Sequence, residues 1–242
     1  MAERIDDLQI KGYRLIQNPE LFCFGVDAVL LSSFAKAKDT DKVIDLGCGN
    51  GVIPILMAAK TDAKRIVGLE IQDESAKLAT RSVELNELSD RISIVKGDIK
   101  EASSIFGASS FQVVTTNPPY MNENHGLVND YSAKAIARHE LLCNLEDIIR
   151  ESARLLVPSG RLYMIHRPHR LEDILVLMRE YHIEPKHLRF VHPYVDKEPT
   201  MVLIEGLRGG KPSMKIDPPL IIYEDVNKYT KEINDIYGTT GP

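Results

Sequence analysis

Val113-Val114-Thr115-Thr116-Asn117-Pro118-Pro119-Tyr120 is the stretch whose reading decides the fold. A β-branched run of this kind reads as a buried strand, and it stops abruptly at Asn-Pro-Pro-Tyr. Two consecutive prolines fix φ and offer no N–H, so the backbone leaves the sheet in a stiff, extended turn. At a strand's carboxyl end such a turn aims an amide, bare carbonyls and an aromatic ring into the place where open α/β sheets bind ligands. Asn-Pro alone would read as an ordinary strand-ending turn. Tyr120 and a glycine-rich loop upstream make it a candidate site.

That loop is Asp45-Leu46-Gly47-Cys48-Gly49-Asn50-Gly51, directly after a strand predicted over Lys42–Leu46. A helix follows over Val52–Lys60, with Pro54 in its first turn, where proline is tolerated. Strand, glycine loop and helix let backbone approach a ligand closely. The dinucleotide fingerprint G-x-G-x-x-G is not met, because Val52 holds the third glycine position. Asp45 would also repel a pyrophosphate and suits a ligand with an ammonium group. A nucleoside joined to an amino acid fits better than NAD. The second strand, Arg65–Leu69, ends at Glu70, 19 residues beyond Gly51. A carboxylate there accepts hydrogen bonds from both hydroxyls of a ribose, with Ile71 beside it. The third strand, Ile92–Val95, ends at Gly97-Asp98-Ile99. Asp98 reads as an acceptor for an adenine amine or as a helix N-cap, and Ile99 as an apolar face for the ring.

Outward from these motifs the pattern is less sharp. Residues 1–25 read as a hairpin or lid, with apolar stretches at Leu8–Ile10 and Tyr13–Ile16. Val26–Lys36 is helical, and Asp27 in its first turn reads equally as a dipole partner or a ligand contact. A helix spans Asp73–Leu88. Polar Met121–Arg138 reads as a lid or substrate platform, followed by a helix over Leu145–Leu156. Pro158-Ser159-Gly160 reads as a turn before a fifth strand, Arg161–Ile165. The helix Leu171–Tyr181 precedes strands Leu188–Val191 and Met201–Glu205, whose short connection requires an antiparallel pair. A tail, 207–242, carries Leu220–Tyr223 and a helical Thr230–Tyr237.

Composition excludes more than it selects. At 242 residues the chain is one large domain or a domain with small extensions. No apolar run reaches membrane-spanning length and no signal-peptide core is present. Cys23, Cys48 and Cys143 lie far apart, which fits a reducing cytoplasm rather than a zinc module. His166-x-x-His169 has no carboxylate or thiol companion and is read as no metal site. With a net charge of -5, RNA contact would have to use local basic patches.

Five strands alternating with helices and then an antiparallel pair resemble the Rossmann-like class I S-adenosylmethionine-dependent methyltransferase fold. That is an α/β fold with a mostly parallel seven-stranded sheet and an antiparallel last strand, here over 26–206. Its carriers are the Asp45–Gly51 loop, Glu70, Asp98 and Asn117-Pro118-Pro119-Tyr120. With Phe24-Gly25-Val26-Asp27-Ala28-Val29-Leu30-Leu31, Leu220–Tyr223 and Tyr229-Thr230-Lys231-Glu232, the chain resembles the bacterial tRNA1(Val) adenine-N6 methyltransferase family. The resemblance implies S-adenosylmethionine as cofactor and a tRNA adenine 3′ of the anticodon as substrate. It implies a cytoplasmic enzyme with no metal, membrane or obligate protein partner. The cofactor set is then Asp27, Asp45, Gly47, Gly49, Glu70, Ile71, Asp98, Ile99 and Asn117.

An exocyclic purine amine is a poor nucleophile because its lone pair is delocalised. Asn117 and the Pro118 carbonyl are expected to accept its hydrogens while Tyr120 stacks on the base. Three rivals share features with this reading: a guanine-N2 rRNA methyltransferase, a protein glutamine methyltransferase and a non-catalytic nucleoside binder. The glutamine enzymes carry a sizeable helical domain ahead of the fold, where this chain has about 25 residues. Arg167 and Arg170 after the fifth strand, with Arg138 from the lid, are expected to neutralise tRNA phosphates. Lys211 and Lys215, after a strand of opposite direction, should lie far from the methyl group unless the tail doubles back.

Overall fold

The computed structural model describes residues 3–19, 21, 23–118 and 143–238. Pro119, Tyr120, the polar stretch 121–138 and Arg138 within it lie outside these. A hairpin of β1 (Arg4–Asp7) and β2 (Arg14–Gln17) comes first. Polar Arg-Ile-Asp-Asp forms its first strand, while Leu8 is buried from the turn, where Gln9, Lys11 and Gly12 have positive φ. The apolar run expected as strand is therefore the turn that plugs into the core.

Helix α1 (Val26–Phe34) leads into β3 (Lys42–Leu46), α2 (Val52–Lys60), β4 (Arg65–Glu70), α3 (Asp73–Leu85) and β5 (Ile92–Lys96). After a 3₁₀ turn and the short α4 (Ala102–Phe106) come β6 (Phe111–Thr116), α5 (Leu145–Leu155) and β7 (Leu156–His166). Helix α6 (Leu171–Glu180), β8 (Ile183–His192) and β9 (Met201–Arg208) complete the expected seven-stranded sheet. Strands β3 to β7 pair in parallel, with β4 and β5 on one side of β3 and β6 and β7 on the other. Only β9 runs antiparallel, between β7 and β8. The order reverses at β3, so a crevice opens beyond the carboxyl ends of β3 and β6.

The sheet is wider than seven strands. In the tail, β10 (Lys215–Ile216) and β11 (Leu220–Ile221) add to the outer edge of β8, both parallel to it. The tail thus doubles back toward the site end of the sheet. A hairpin of β12 (Tyr223–Asp225) and β13 (Lys228–Tyr229) and then α7 (Lys231–Tyr237) follow. Four tyrosines, Tyr194, Tyr223, Tyr229 and Tyr237, stack in a row with centroids 5.2–5.5 Å apart and fasten this segment. A second departure concerns Pro158-Ser159-Gly160, which lies inside β7 as an irregularity. Phe111 pairs with Leu156 before the register shifts to Val113 and Arg161, so ladder bonds continue past the local turn signal.

Alternation along the strands feeds two cores. Val43, Val113 and Tyr163 pack with α1, α2 and the tail's Leu220, Ile222 and Ile233. Ile44, Val114, Leu162 and Met164 pack with α5 and α6. Asp45 and Thr115 share the parity of Val43 and Val113, which places both polar side chains on the α1 side.

Candidate active site

The glycine loop turns out of β3 through three left-handed glycines, Gly47, Gly49 and Gly51, at φ +76°, +54° and +85°. Gly47 and Cys48 donate their N–H groups to the Leu69 carbonyl at 2.9 and 3.0 Å, which ties the loop to β4. Gly51 sits against α3, where an added Cβ would meet Ala79 Cβ at 3.1 Å. A Cβ on Gly49 would meet nothing within 4 Å. The loop is thus packed on one side and open on the other.

Asp45 stands just before it, 1% exposed. Its Oδ1 accepts from Thr115 Oγ1 at 2.7 Å, and its Oδ2 is buried with no hydrogen-bond partner. Burial pushes its carboxyl up to about 7, the Thr115 bond opposes that, and the Glu70 charge adds to it. An orphaned carboxylate oxygen beside an open glycine loop is the environment a cationic ammonium would satisfy. Glu70 is also buried, and it staples the loop: Gly49 N–H donates to Oε2 at 2.9 Å and Gln72 N–H to Oε1 at 2.8 Å. Each oxygen keeps a further lone pair for a ribose hydroxyl. Ile71 follows in the turn, half-buried. Asp98 is the N-cap of the 3₁₀ turn, accepting from Lys100 N–H at 2.9 Å. Ile99 faces the loop, with its Cδ1 3.7 Å from an ideal Cβ on Gly47. These residues fit an adenosyl group bearing an amino acid.

Asn117 directly follows β6 beside this cradle, and Pro118 after it is buried. Its Nδ2 donates to Asp27 Oδ2 at 3.0 Å, across 90 residues of sequence. Asp27 and Asn117 therefore meet, which no pattern in the sequence determines. Gln17 is a site residue that sequence reasoning passes over. It is 1% exposed, and its Oε1 accepts from Phe24 N–H at 3.2 Å and Asn50 Nδ2 at 3.5 Å. It joins the first hairpin to the glycine loop. A lone glutamine closing the apolar Leu15-Ile16 pair is the signal that could have found it.

The basic residues divide by end of the sheet. Arg167 follows β7 on the Asn117 side and donates Nη1 to the Thr200 carbonyl at 3.0 Å. Arg170 Nε pairs with Asp173 at 2.8 Å. Arg208 instead bonds Ser109 and the Leu156 carbonyl at the opposite end, whereas the returning tail carries Lys215 to the level of His187 in mid-β8, where it pairs with Asp217 at 2.8 Å. His166 is neutral, held down to about 4 by burial, and its Nδ1 accepts from Arg167 N–H. Among the described residues no group of three or more metal-ligating side chains converges, and no helix is long and apolar enough to cross a membrane.

A model of the methyltransferase small domain matches residues 13–181. A protein of Porphyromonas gingivalis named tRNA1(Val) (adenine(37)-N6)-methyltransferase is 32% identical over 206 residues, covering 83% of this chain and 80% of its own. The chain belongs to the tRNA1(Val) adenine-N6-methyltransferase family of methyltransferase small domains. A further relative of that name, from Tolumonas auensis, is 25% identical over 231 residues, with 92% of this chain and 91% of its own covered. Among solved structures, a predicted O-methyltransferase from Agrobacterium tumefaciens matches with TM-score 0.71 at 24% identity, covering 88% of this chain and 95% of that one. A geranyl diphosphate C-methyltransferase from Streptomyces coelicolor, bound to S-adenosyl-L-homocysteine, matches at 0.56 and 15%, over 76% and 77%. Both share the methyltransferase fold. The family's small-domain match runs from β2 through α6, and β8, β9 and the tail follow it.

Proposed function

We propose that this chain methylates the exocyclic N6 amine of an adenine in tRNA, using S-adenosylmethionine, at the adenine 3′ of the anticodon of valine tRNA. The observation that carries the reading is Asn117, held at the carboxyl end of β6 beside a glycine loop whose neighbouring Asp45 has an orphaned, buried oxygen. The relatives' shared name supplies the substrate.

S-adenosylmethionine supplies an electrophilic methyl group on a sulfonium. Asp45 would meet its ammonium, Glu70 its ribose, Asp98 and Ile99 its adenine, with Gly47, Gly49 and Ile71 lining the cradle. Asn117 Oδ1 and the Pro118 carbonyl accept the two amine hydrogens of the target adenine. That favours a pyramidal nitrogen and sets negative potential where positive charge develops. Tyr120 stacks on the base and fixes the direction of attack. The methylated nitrogen is acidic, so its proton leaves without a strong general base. The target base must be unstacked, at about a few kcal/mol in an anticodon loop. Arg138, Arg167 and Arg170 hold phosphates. Arg170 exchanges its solvent-exposed pair with Asp173 for one, a pair worth only about 0–1 kcal/mol.

Incubating the enzyme with labelled methyl donor and total tRNA, ribosomal RNA or release factor, followed by nucleoside and amino-acid analysis, tests the reading. N6-methyladenine in tRNA is expected. N2-methylguanine in ribosomal RNA or methylglutamine would replace it.

A further inference from the structure

We infer that Asp27 is a positioning residue for methyl transfer, acting by fixing the orientation of the Asn117 amide. The inference rests on the assignment of Asn117 as acceptor for the target amine. Asp27 sits in the first turn of α1. Its Oδ1 accepts the Ala28 N–H at 2.9 Å, and its Oδ2 accepts from Asn117 Nδ2 at 3.0 Å. The carboxylate is therefore anchored at one oxygen by its own helix and presents the other to the amide. Gly25 makes room for it, since a Cβ there would lie 2.9 Å from Asp27 Oδ1.

An asparagine χ2 is broad and roughly two-fold, so an unrestrained Asn117 would present oxygen and NH₂ toward the target about equally. A carboxylate only accepts. It takes the NH₂ end, and the reversed amide would set oxygen against oxygen beside a buried strand end. Asp27 thus selects the single amide orientation that turns Oδ1 away from α1. Donation to an anion also polarises the amide and makes Oδ1 a stronger acceptor. The helix that carries the carboxylate is itself fixed, because Ala28, Val29, Leu30 and Leu31 are all buried.

The test is a double-mutant cycle with Asp27→Ala and Asn117→Ala, read as single-turnover methylation of tRNA at saturating donor, with donor affinity measured by calorimetry. Asp27→Ala is expected to slow transfer about 10- to 100-fold, the usual range for a supporting residue, while affinity changes less than about 2-fold. In the Asn117→Ala background it should slow transfer no further. Asp27→Asn, nearly isosteric, keeps one acceptor and should recover part of the rate; it also carries the test if Asp27→Ala fails to fold. Additive losses across the cycle would overturn the inference. So would lost affinity with full rate at saturation, which would make Asp27 a cofactor ligand. Wild-type turnover in Asn117→Ala alone would sink the acceptor assignment itself, a different result from either.

Discussion

Asp45 gives this site a pH signature that can be checked without RNA. Its carboxyl titrates near 7 in the folded chain, against an ordinary aspartate value near 4 when unfolded. Between those values the folded chain holds a proton that the unfolded chain has lost, so this group's contribution to stability falls as pH rises from about 4 to about 7. An ammonium ligand favours the ionised form, so binding below 7 should release up to about one proton. Calorimetry of donor binding near pH 6, in buffers of different ionisation enthalpy, should show that release, and Asp45→Asn should abolish it. Buffer-independent heats would separate Asp45 from the ammonium. Glu70→Ala should weaken donor binding by about 1.5–3 kcal/mol, the scale of charge-assisted hydrogen bonds. It also frees the Gly49 and Gln72 N–H groups, so a fall in stability should accompany it. The acids at the strand ends were legible because spacing and strand termini announce them. Their partners were not: Thr115 lies 70 residues from Asp45, and nothing local to either residue names the other.

The glycine loop makes a prediction at the level of the element. Gly49 and Gly51 both have left-handed backbones, and an alanine at either carries strain of about 1 kcal/mol or more. At Gly51 the methyl also collides with the Cβ and backbone Cα of Ala79, at 3.1 and 3.2 Å, so loop and α3 must part. Gly51→Ala should therefore cost about 2–4 kcal/mol in urea unfolding, strain plus overpacking. Gly49→Ala should cost less stability and lose donor affinity, since its methyl enters the open side. Equal stability losses would mean that Ala79 gives way. The bounds of β3 and α2 were legible to the residue, because a strand with strict burial and a helix after glycine leave little choice. The short α4 was not, since five residues carry no period. The start of β7 was hidden by turn chemistry that the pairing of Leu156 with Phe111 on β6 overrides.

Over the whole molecule, the direction of β9 sorts the basic residues. The salt dependence of tRNA affinity should flatten by about one ion for each phosphate that Arg167→Ala/Arg170→Ala leaves without its cation, and stay near wild type for Lys211→Ala/Lys215→Ala. Weakened binding confined to the lysine pair would place the RNA along the returning tail at the outer edge of β8. The tail's return path was not legible, because two-residue strands leave no pattern and only β8 offers them a partner. Deleting residues 209–242 would uncover that edge and remove Leu220, Ile222 and Ile233 from the core, each worth about 1.5–3 kcal/mol when buried. Against a domain stability of about 5–15 kcal/mol, the shortened chain should aggregate, as size-exclusion chromatography would show. The packing of α7 on α1 also has a consequence for the order of opening. It joins segments from opposite ends of the chain, so its closure carries a large loop entropy and its contacts form late. Regions closed last are commonly the first to unlatch. The amides of α7 and of the β12–β13 hairpin should therefore exchange with deuterium as one cooperative unit, ahead of the parallel strands. Each such excursion loosens the helix bearing Asp27 while the glycine loop stays folded. On warming, methyl transfer should fade before the circular dichroism of the sheet does.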